Sequence, residues 1–291
     1  MGNIYLSRIG RLLVNVLTCP ICNHSKHDSL HRLQQGDLMS CGKCQVVFFT
    51  PMPTAEELEF FYNNGYHDNF SKSTMVGCSF AENRYAALEA LLKTHLPSLI
   101  DAPNKSLLDV GCGTGDFLKI AQQAGWRISG TELGRDAVEQ ATQKLGDCVL
   151  QGDIFTLDLP ANAYSLITSY HVIEHLLDPV KMLKQCYQLL SPEGALFVET
   201  PNINSIGARI RGSKWSHIIP PEHIIYFSPH SLKYALHKAG FNRVLILTSV
   251  PQTIESIQDW PVFFKGIASS LYHLAPKLGM GAALQAIAFK D

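Results

Sequence analysis

No run of 18 apolar residues occurs in the 291-residue sequence, which excludes a membrane-spanning helix of ordinary length. Charge of one sign is also lacking. Against 24 Lys and Arg stand 25 Asp and Glu, a formal net charge of −1, which argues against a broad basic surface, so a nucleic-acid partner is not expected. No internal repeat or low-complexity tract is present. The apolar stretch 12–17, preceded by Arg8 and Arg11, is too short for a secretory signal and is broken by Asn15. No small-residue cleavage site follows it, and Thr18-Cys19 is a poor lipoprotein site, so a cytoplasmic location is expected. The length sits near the upper limit for one core, which predicts a main domain plus an appendage.

What the chain does have is concentrated in Leu107-Leu108-Asp109-Val110-Gly111-Cys112-Gly113-Thr114-Gly115-Asp116-Phe117. An apolar strand runs into three glycines at alternate positions, and a helix-periodic stretch (117–124) follows. Glycine tolerates positive φ and has no Cβ, so a ligand can lie against the bare main chain of such a turn. The following helix adds unsatisfied N–H groups at the carboxyl end of the strand. A P-loop is excluded because no Gly-Lys-Ser/Thr follows. A dinucleotide fingerprint is excluded because Asp116 stands where its third Gly or Ala belongs.

These residues resemble the first motif of the class I S-adenosylmethionine-dependent methyltransferases. The resemblance implies an α/β, Rossmann-like sheet, mostly parallel with an antiparallel last strand. It also implies a methyl-donor site built from Asp109, Gly111, Cys112, Gly113, Gly115, Glu132, Leu133, Asp153, Ile154 and Tyr170. The residues themselves agree. Glu132 ends the next predicted strand (127–131), where a carboxylate can accept from both hydroxyls of a ribose. Asp153 ends the one after (148–151), within reach of an adenine amino group.

Four of the eight cysteines form Cys19-x-x-Cys22 and Cys41-x-x-Cys44, two knuckles with the spacing of a zinc ribbon. Zinc is therefore expected on Cys19, Cys22, Cys41 and Cys44; disulfides or a redox dithiol would not account for two matched knuckles. His24, His27 and His31 are expected on the ribbon surface, and Cys78, Cys112, Cys148 and Cys186 read as small apolar residues.

The remaining sequence divides into an N-terminal segment with the ribbon (1–53), a helical linker or cap (54–104) and the donor-binding domain (105–291), with insertions at about 203–228 and 251–283. Thr54 and Glu57 form a capping box ahead of an apolar stripe of Leu58, Phe61 and Tyr62, with a linker or flap expected to about Ser79. A helix is expected from Phe80 to Leu96, stopped by Pro97. Beyond Glu132 the reading is helix 135–145, strand 165–169, helix to Leu190 from Asp178-Pro179, strand 195–199, helix from Ser228-Pro229 to Gly240, strand 244–247 and an edge strand 284–289. The region 251–283 reads as apolar packing over the core, with peripheral membrane contact as the alternative.

A methyltransferase must hold donor and acceptor in line and take up a proton. That draws attention to Tyr170-His171-Val172-Ile173-Glu174-His175, after the fourth strand, and to Glu199-Thr200-Pro201-Asn202, after the fifth. His171-x-x-Glu174-His175 has the spacing of an inverted zinc-protease motif, which would need a helix where a strand feeds in directly. The run instead resembles the Glu-His signature of small-molecule methyltransferases, including ubiquinone-pathway O-methyltransferases. That resemblance implies Glu174 and His175 as base or as ligands of a divalent cation, and His171 as lining the donor pocket; a purely loop-fixing role stays open. A third cluster, Trp215, His217 and Pro220 through Ser228, suits a lid, with His223 as a candidate general base. It resembles zinc-ribbon methyltransferases linked to sugar or secondary-metabolite modification. Ser165 departs from the family, which usually has Asp there. The expected activity is methylation of a small polar molecule, on oxygen first and on a deoxysugar carbon second. An RNA methyltransferase and a non-catalytic donor-binding protein are the alternatives.

Overall fold

The structure is a computed structural model and describes residues 18–58, 74–249 and 274–291. The first strands are β1 (His27–Arg32), β2 (Asp37–Cys41) and β3 (Val47–Thr50). Helices α1 (Thr74–His95) and α2 (Pro97–Ile100) lead into β4 (Ser106–Val110), α3 (Asp116–Gln123), β5 (Arg127–Glu132), α4 (Arg135–Leu145) and β6 (Val149–Gln151). Then come β7 (Tyr164–Tyr170), α5 (Pro179–Leu189), β8 (Leu190–Pro201), α6 (Ile206–Arg211), β9 (Ile225–Tyr226), α7 (Pro229–Ala239), β10 (Arg243–Ser249) and β11 (Ala283–Phe289).

Seven strands form the main sheet in the order β10-β11-β8-β7-β4-β5-β6. Strands β8, β7, β4, β5 and β6 pair in parallel, and β11 is antiparallel to both of its neighbours. Successive side chains along a strand point to opposite faces. Leu108, Ile167, Leu196 and Val198 therefore join one buried cluster with α5 and α7. Leu107, Leu166, Phe197 and Ile287 join the other, with Leu88 and Leu92 of α1 and Phe117 and Leu118 of α3. Each such side chain, fully buried, contributes roughly 1.5–3 kcal/mol. The expected caps set the helix ends: Asp178 accepts from the Lys181 N–H, and Ser228 and Ser231 form a reciprocal capping box.

Three expectations are corrected. The last strand is not at the edge; β11 lies between β8 and β10, and β10 takes the edge. Helix α1 starts at Thr74, inside the stretch read as linker. The segment before Ser228 is more than a lid, because β9 adds to the ribbon sheet as its fourth strand, in the order β1-β2-β3-β9. The capping box holds, with the Thr54 N–H 2.8 Å from Glu57 Oε2 and the Glu57 N–H 3.2 Å from Thr54 Oγ1. Ser165, in place of the family's Asp, ties β7 to β4 through Ser106, whose Oγ accepts from its N–H at 3.0 Å. The expectations for 1–17, for Phe61 and Tyr62, and for most of 251–283 lie outside the described residues.

Candidate functional site

The glycine turn closes the carboxyl end of β4. Gly111, Gly113 and Gly115 all have positive φ, at 73°, 53° and 78°, which other residues adopt only at a cost. At Gly111 a Cβ would sit 2.5 Å from Val172 Cγ2, whereas at Gly113 it would meet nothing within 4 Å. The first glycine is needed by the fold; the second leaves a bare main chain facing open space.

Glu132 fastens this turn to the end of β5. Its Oε2 accepts from the Gly113 N–H at 2.9 Å and its Oε1 from the Gly134 N–H at 2.8 Å. Asp116, the residue that breaks the dinucleotide pattern, accepts from Thr114 Oγ1 and pairs with Lys144, both at the N-terminus of α3 where negative charge is favoured. Leu133 is exposed and Ile154 buried. Asp153 caps its own turn, its Oδ1 accepting from the Phe155 N–H at 3.0 Å. Cys112 turns its sulfur inward over Gly130, where a Cβ would come within 2.7 Å of that sulfur and of Leu118 Cδ1. Only its main chain lines the turn. Asp109 is buried and accepts from Thr168 Oγ1 at 2.7 Å; burial, partly offset by that bond and by Arg84, raises its pKa to about 7. Tyr170 packs against Phe117 and Phe197, and burial pushes its hydroxyl well above the usual range.

A second group gathers at the ends of β7 and β8. Residues 173–175 form a single 3-10 turn, so His171-x-x-Glu174-His175 lacks the α-helix a zinc-protease motif requires. His171 takes a positive φ of 54°. That turns its ring toward two carboxylates, with Nδ1 3.2 Å from Glu174 Oε1 and Nε2 3.5 Å from Glu199 Oε1. Burial disfavours its cation, but the two carboxylates outweigh that and raise its pKa to about 9. Burial works against the Glu174 anion too, yet His171 and its imidazole neighbours bring its pKa down to about 2. Thr200 Oγ1 donates to Glu174 Oε2 at 2.9 Å.

The insertion completes this group. His223 lies edge-on to His175, ring centroids 4.7 Å apart, and stacks on His217 at 5.9 Å. Burial lowers the His223 pKa to about 4. His171, Glu174, His175 and His223 are thus brought together from two segments. Sequence reading missed Arg84 and Gln285. Arg84 lies between the rings of Phe80 and Tyr170, 3.9 Å from Glu199 Oε1, and Gln285 Nε2 donates to Glu199 Oε2 at 2.7 Å. One signal for Arg84 was available: it is a cation four residues after Phe80, at the start of the apolar periodicity. Asn202 is structural, donating to the carbonyls of Gly279 and Gly281.

In the ribbon, the Sγ atoms of Cys19 and Cys44, and of Cys22 and Cys41, are each 3.5 Å apart. That is too long for a disulfide and close to the sulfur spacing of a tetrahedral thiolate site. All four sulfurs lie within 4.8 Å of one another. The N–H groups of Ile21 and Lys43 point at Cys19 and Cys41 sulfurs from within the knuckles, each at 3.4 Å. His27, expected on the ribbon surface, is half-buried, with its ring nitrogens covered and its ring meeting Phe48 edge-on at 5.1 Å.

A glycine turn tied by an acidic strand end, in a sheet of this order, defines a nucleoside-binding α/β domain. The chain belongs to the methyltransferase-domain family, whose pattern matches residues 80–246. Among curated proteins it is similar to a ubiquinone biosynthesis O-methyltransferase of Coxiella burnetii, 30% identical over 115 residues, covering 38% of this chain and 49% of that one. A protein of the same name from Escherichia coli is 27% identical over 132 residues, covering 43% and 52%. The chain thus spans about half the length of these relatives. Among solved structures it is similar to an S-adenosylmethionine-dependent methyltransferase of Thermotoga maritima, described as a possible histamine N-methyltransferase. The TM-score is 0.55 at 18% identity, covering 80% of this chain and all of the other. Phosphoethanolamine N-methyltransferase 2 of Haemonchus contortus, solved with S-adenosylmethionine, gives 0.54 at 16%, covering 84% and 63%. The fold is that of the class I S-adenosylmethionine-dependent methyltransferases.

Proposed function

We propose that this chain transfers a methyl group from S-adenosylmethionine to a small polar molecule, on oxygen first and on a deoxysugar carbon second. The observation that carries the reading is the turn around Gly113, open where a Cβ would stand and clasped by Glu132. The donor supplies an electrophilic sulfonium methyl. Glu132, at the β5 terminus, holds the ribose, and Asp153 and Leu133 border the adenine. The cluster of His171, Glu174, His175 and His223 lies beyond the ends of β7 and β8, on the side where the acceptor enters. It orients the acceptor and takes up its proton or holds its anion. Oxygen ranks first because the ubiquinone-pathway relatives are O-methyltransferases by name.

Zinc on Cys19, Cys22, Cys41 and Cys44 is part of this reading, supported by their sulfur spacing. No helix of the described residues is long and apolar enough to cross a membrane. A cytoplasmic setting suits four unbridged thiols.

The test is transfer of labelled methyl from S-adenosylmethionine into a cell's small-molecule fraction, with the product resolved by NMR as O-methyl or C-methyl. Label appearing only in RNA, with binding that falls steeply as salt is added, would overturn the small-molecule reading.

A further inference from the structure

Glu174 and His175 lie in the turn after β7, whereas His223 comes from the inserted segment ahead of α7. One donor atom from each lies within 4.8 Å of the other two. The two imidazoles are held in one way. His175 Nδ1 is 2.8 Å from the carbonyl oxygen of Glu222, and His223 Nδ1 is 2.9 Å from the carbonyl oxygen of His217. A carbonyl only accepts, so in each ring Nδ1 carries a hydrogen, and Nε2 is the nitrogen that a metal ion would take. One ring nitrogen of each histidine lies within 4.8 Å of the other and of a Glu174 oxygen, and the rings cross edge-on with centroids 4.7 Å apart. His175 Nε2 is 4.0 Å from Glu174 Oε1. An Nδ1–H bound to a main-chain carbonyl is the outer-shell device that orients metal-bound imidazoles.

We propose that Glu174 Oε1, His175 Nε2 and His223 Nε2 form a second metal site, for a divalent transition ion. A carboxylate and one imidazole, the pair suggested by sequence resemblance, make a two-ligand fragment. The insertion supplies the third donor and with it a facial set of two histidines and one carboxylate. Two nitrogen donors favour zinc, manganese, iron(II) or cobalt over magnesium, which prefers oxygen. Bonds of about 2.1 Å need the three donors to draw in by roughly an ångström from where they stand. Thr200 Oγ1, already donating to Glu174 Oε2, fixes the carboxylate from behind. Three protein ligands leave positions open to water or to an acceptor oxygen. The proposal rests on the methyltransferase reading only for that last consequence, not for the binding of the ion.

The full-length protein, loaded with cobalt(II) or zinc and freed of excess metal, is assayed for ions per chain, beside Glu174→Gln and His223→Gln. Two ions are expected in the parent protein. Each variant should keep one, with the thiolate-to-cobalt absorption of the ribbon retained as proof that it has folded. A parent protein that binds one ion, or two ions persisting in both folded variants, overturns the proposal. S-adenosylhomocysteine binding, measured by calorimetry on His223→Gln, separates the two readings. Lost metal with intact nucleoside binding supports the site; two ions in a parent protein that binds no nucleoside leaves the site standing and removes the methyltransferase.

Discussion

The main-chain N–H of Ile224 donates to the carbonyl of Glu174 across 3.0 Å, and the carbonyl of Ile224 accepts from the N–H of Phe49 at 2.8 Å. One residue of the insertion therefore joins the turn that carries Glu174 to the strand that leaves the second cysteine knuckle. Val47 pairs with Tyr226 and Phe48 with Ile225 in the same ladder. Beneath it, Cys19, Cys41, Cys44 and Phe48 share one buried cluster with Ile173, Ile224 and Phe227. The ribbon is a wall of the site rather than a separate attachment.

Stripping the ribbon of the zinc proposed for it, by chelation or by Cys41→Ser, should therefore loosen more than the ribbon. Hydrogen exchange should rise at 223–227 and at 173–175 while the amides of 111–115 keep their protection. A rise confined to 19–50 would refute the coupling.

The glycines of the turn should separate folding from binding. Gly111→Ala puts a Cβ against Val172 in a left-handed conformation and should cost about 1–3 kcal/mol of stability. Gly113→Ala meets nothing and should cost about 1 kcal/mol, yet should weaken S-adenosylhomocysteine binding at least tenfold. Paired urea melts and calorimetry test this. Equal effects of the two substitutions on binding and on stability would contradict it.

Asp109 should make the protein less stable as pH rises. Its folded pKa of about 7 lies above the ordinary carboxylate value, so the folded state holds its proton longer than the unfolded chain. The penalty is absent below about pH 4, grows between pH 4 and 7, and levels off above at up to about 4 kcal/mol. Asp109→Asn should thus gain stability relative to the parent protein across that window and keep the gain at pH 8. A difference between the two that does not change with pH, read from denaturation midpoints, would show that Asp109 titrates normally.

Much of this architecture was legible because its signals are local. Buried parallel strands such as Leu107-Leu108-Asp109-Val110 read as apolar runs, the glycine turn and cysteine knuckles carry fixed spacings, and Asp178-Pro179 and Ser228-Pro229 announce their helices. What failed was non-local. Strand β11 is buried on both faces, and burial does not say which neighbours a strand takes, so its place between β8 and β10 could not be read. The two-residue β9 has no pattern of its own and exists because β3, far away in the chain, offers it an edge. Helix α1 starts in Thr74-Met75-Val76-Gly77-Cys78-Ser79, where a glycine, a β-branched valine and two hydroxyl residues of low helix propensity hide its beginning. Arg84 follows Phe80 by one helical turn, but its place between two rings and beside Glu199 depends on β7 and β8, which lie far away in the chain.

The proposed donor pocket is tested most directly by titrating S-adenosylhomocysteine into the parent protein and into Glu132→Ala in a calorimeter. The clasp between Glu132 and the Gly113 and Gly134 amides predicts one site per chain and a loss of at least tenfold in affinity for the variant. No heat of binding to the folded parent protein, or equal affinity in both, would contradict the assignment.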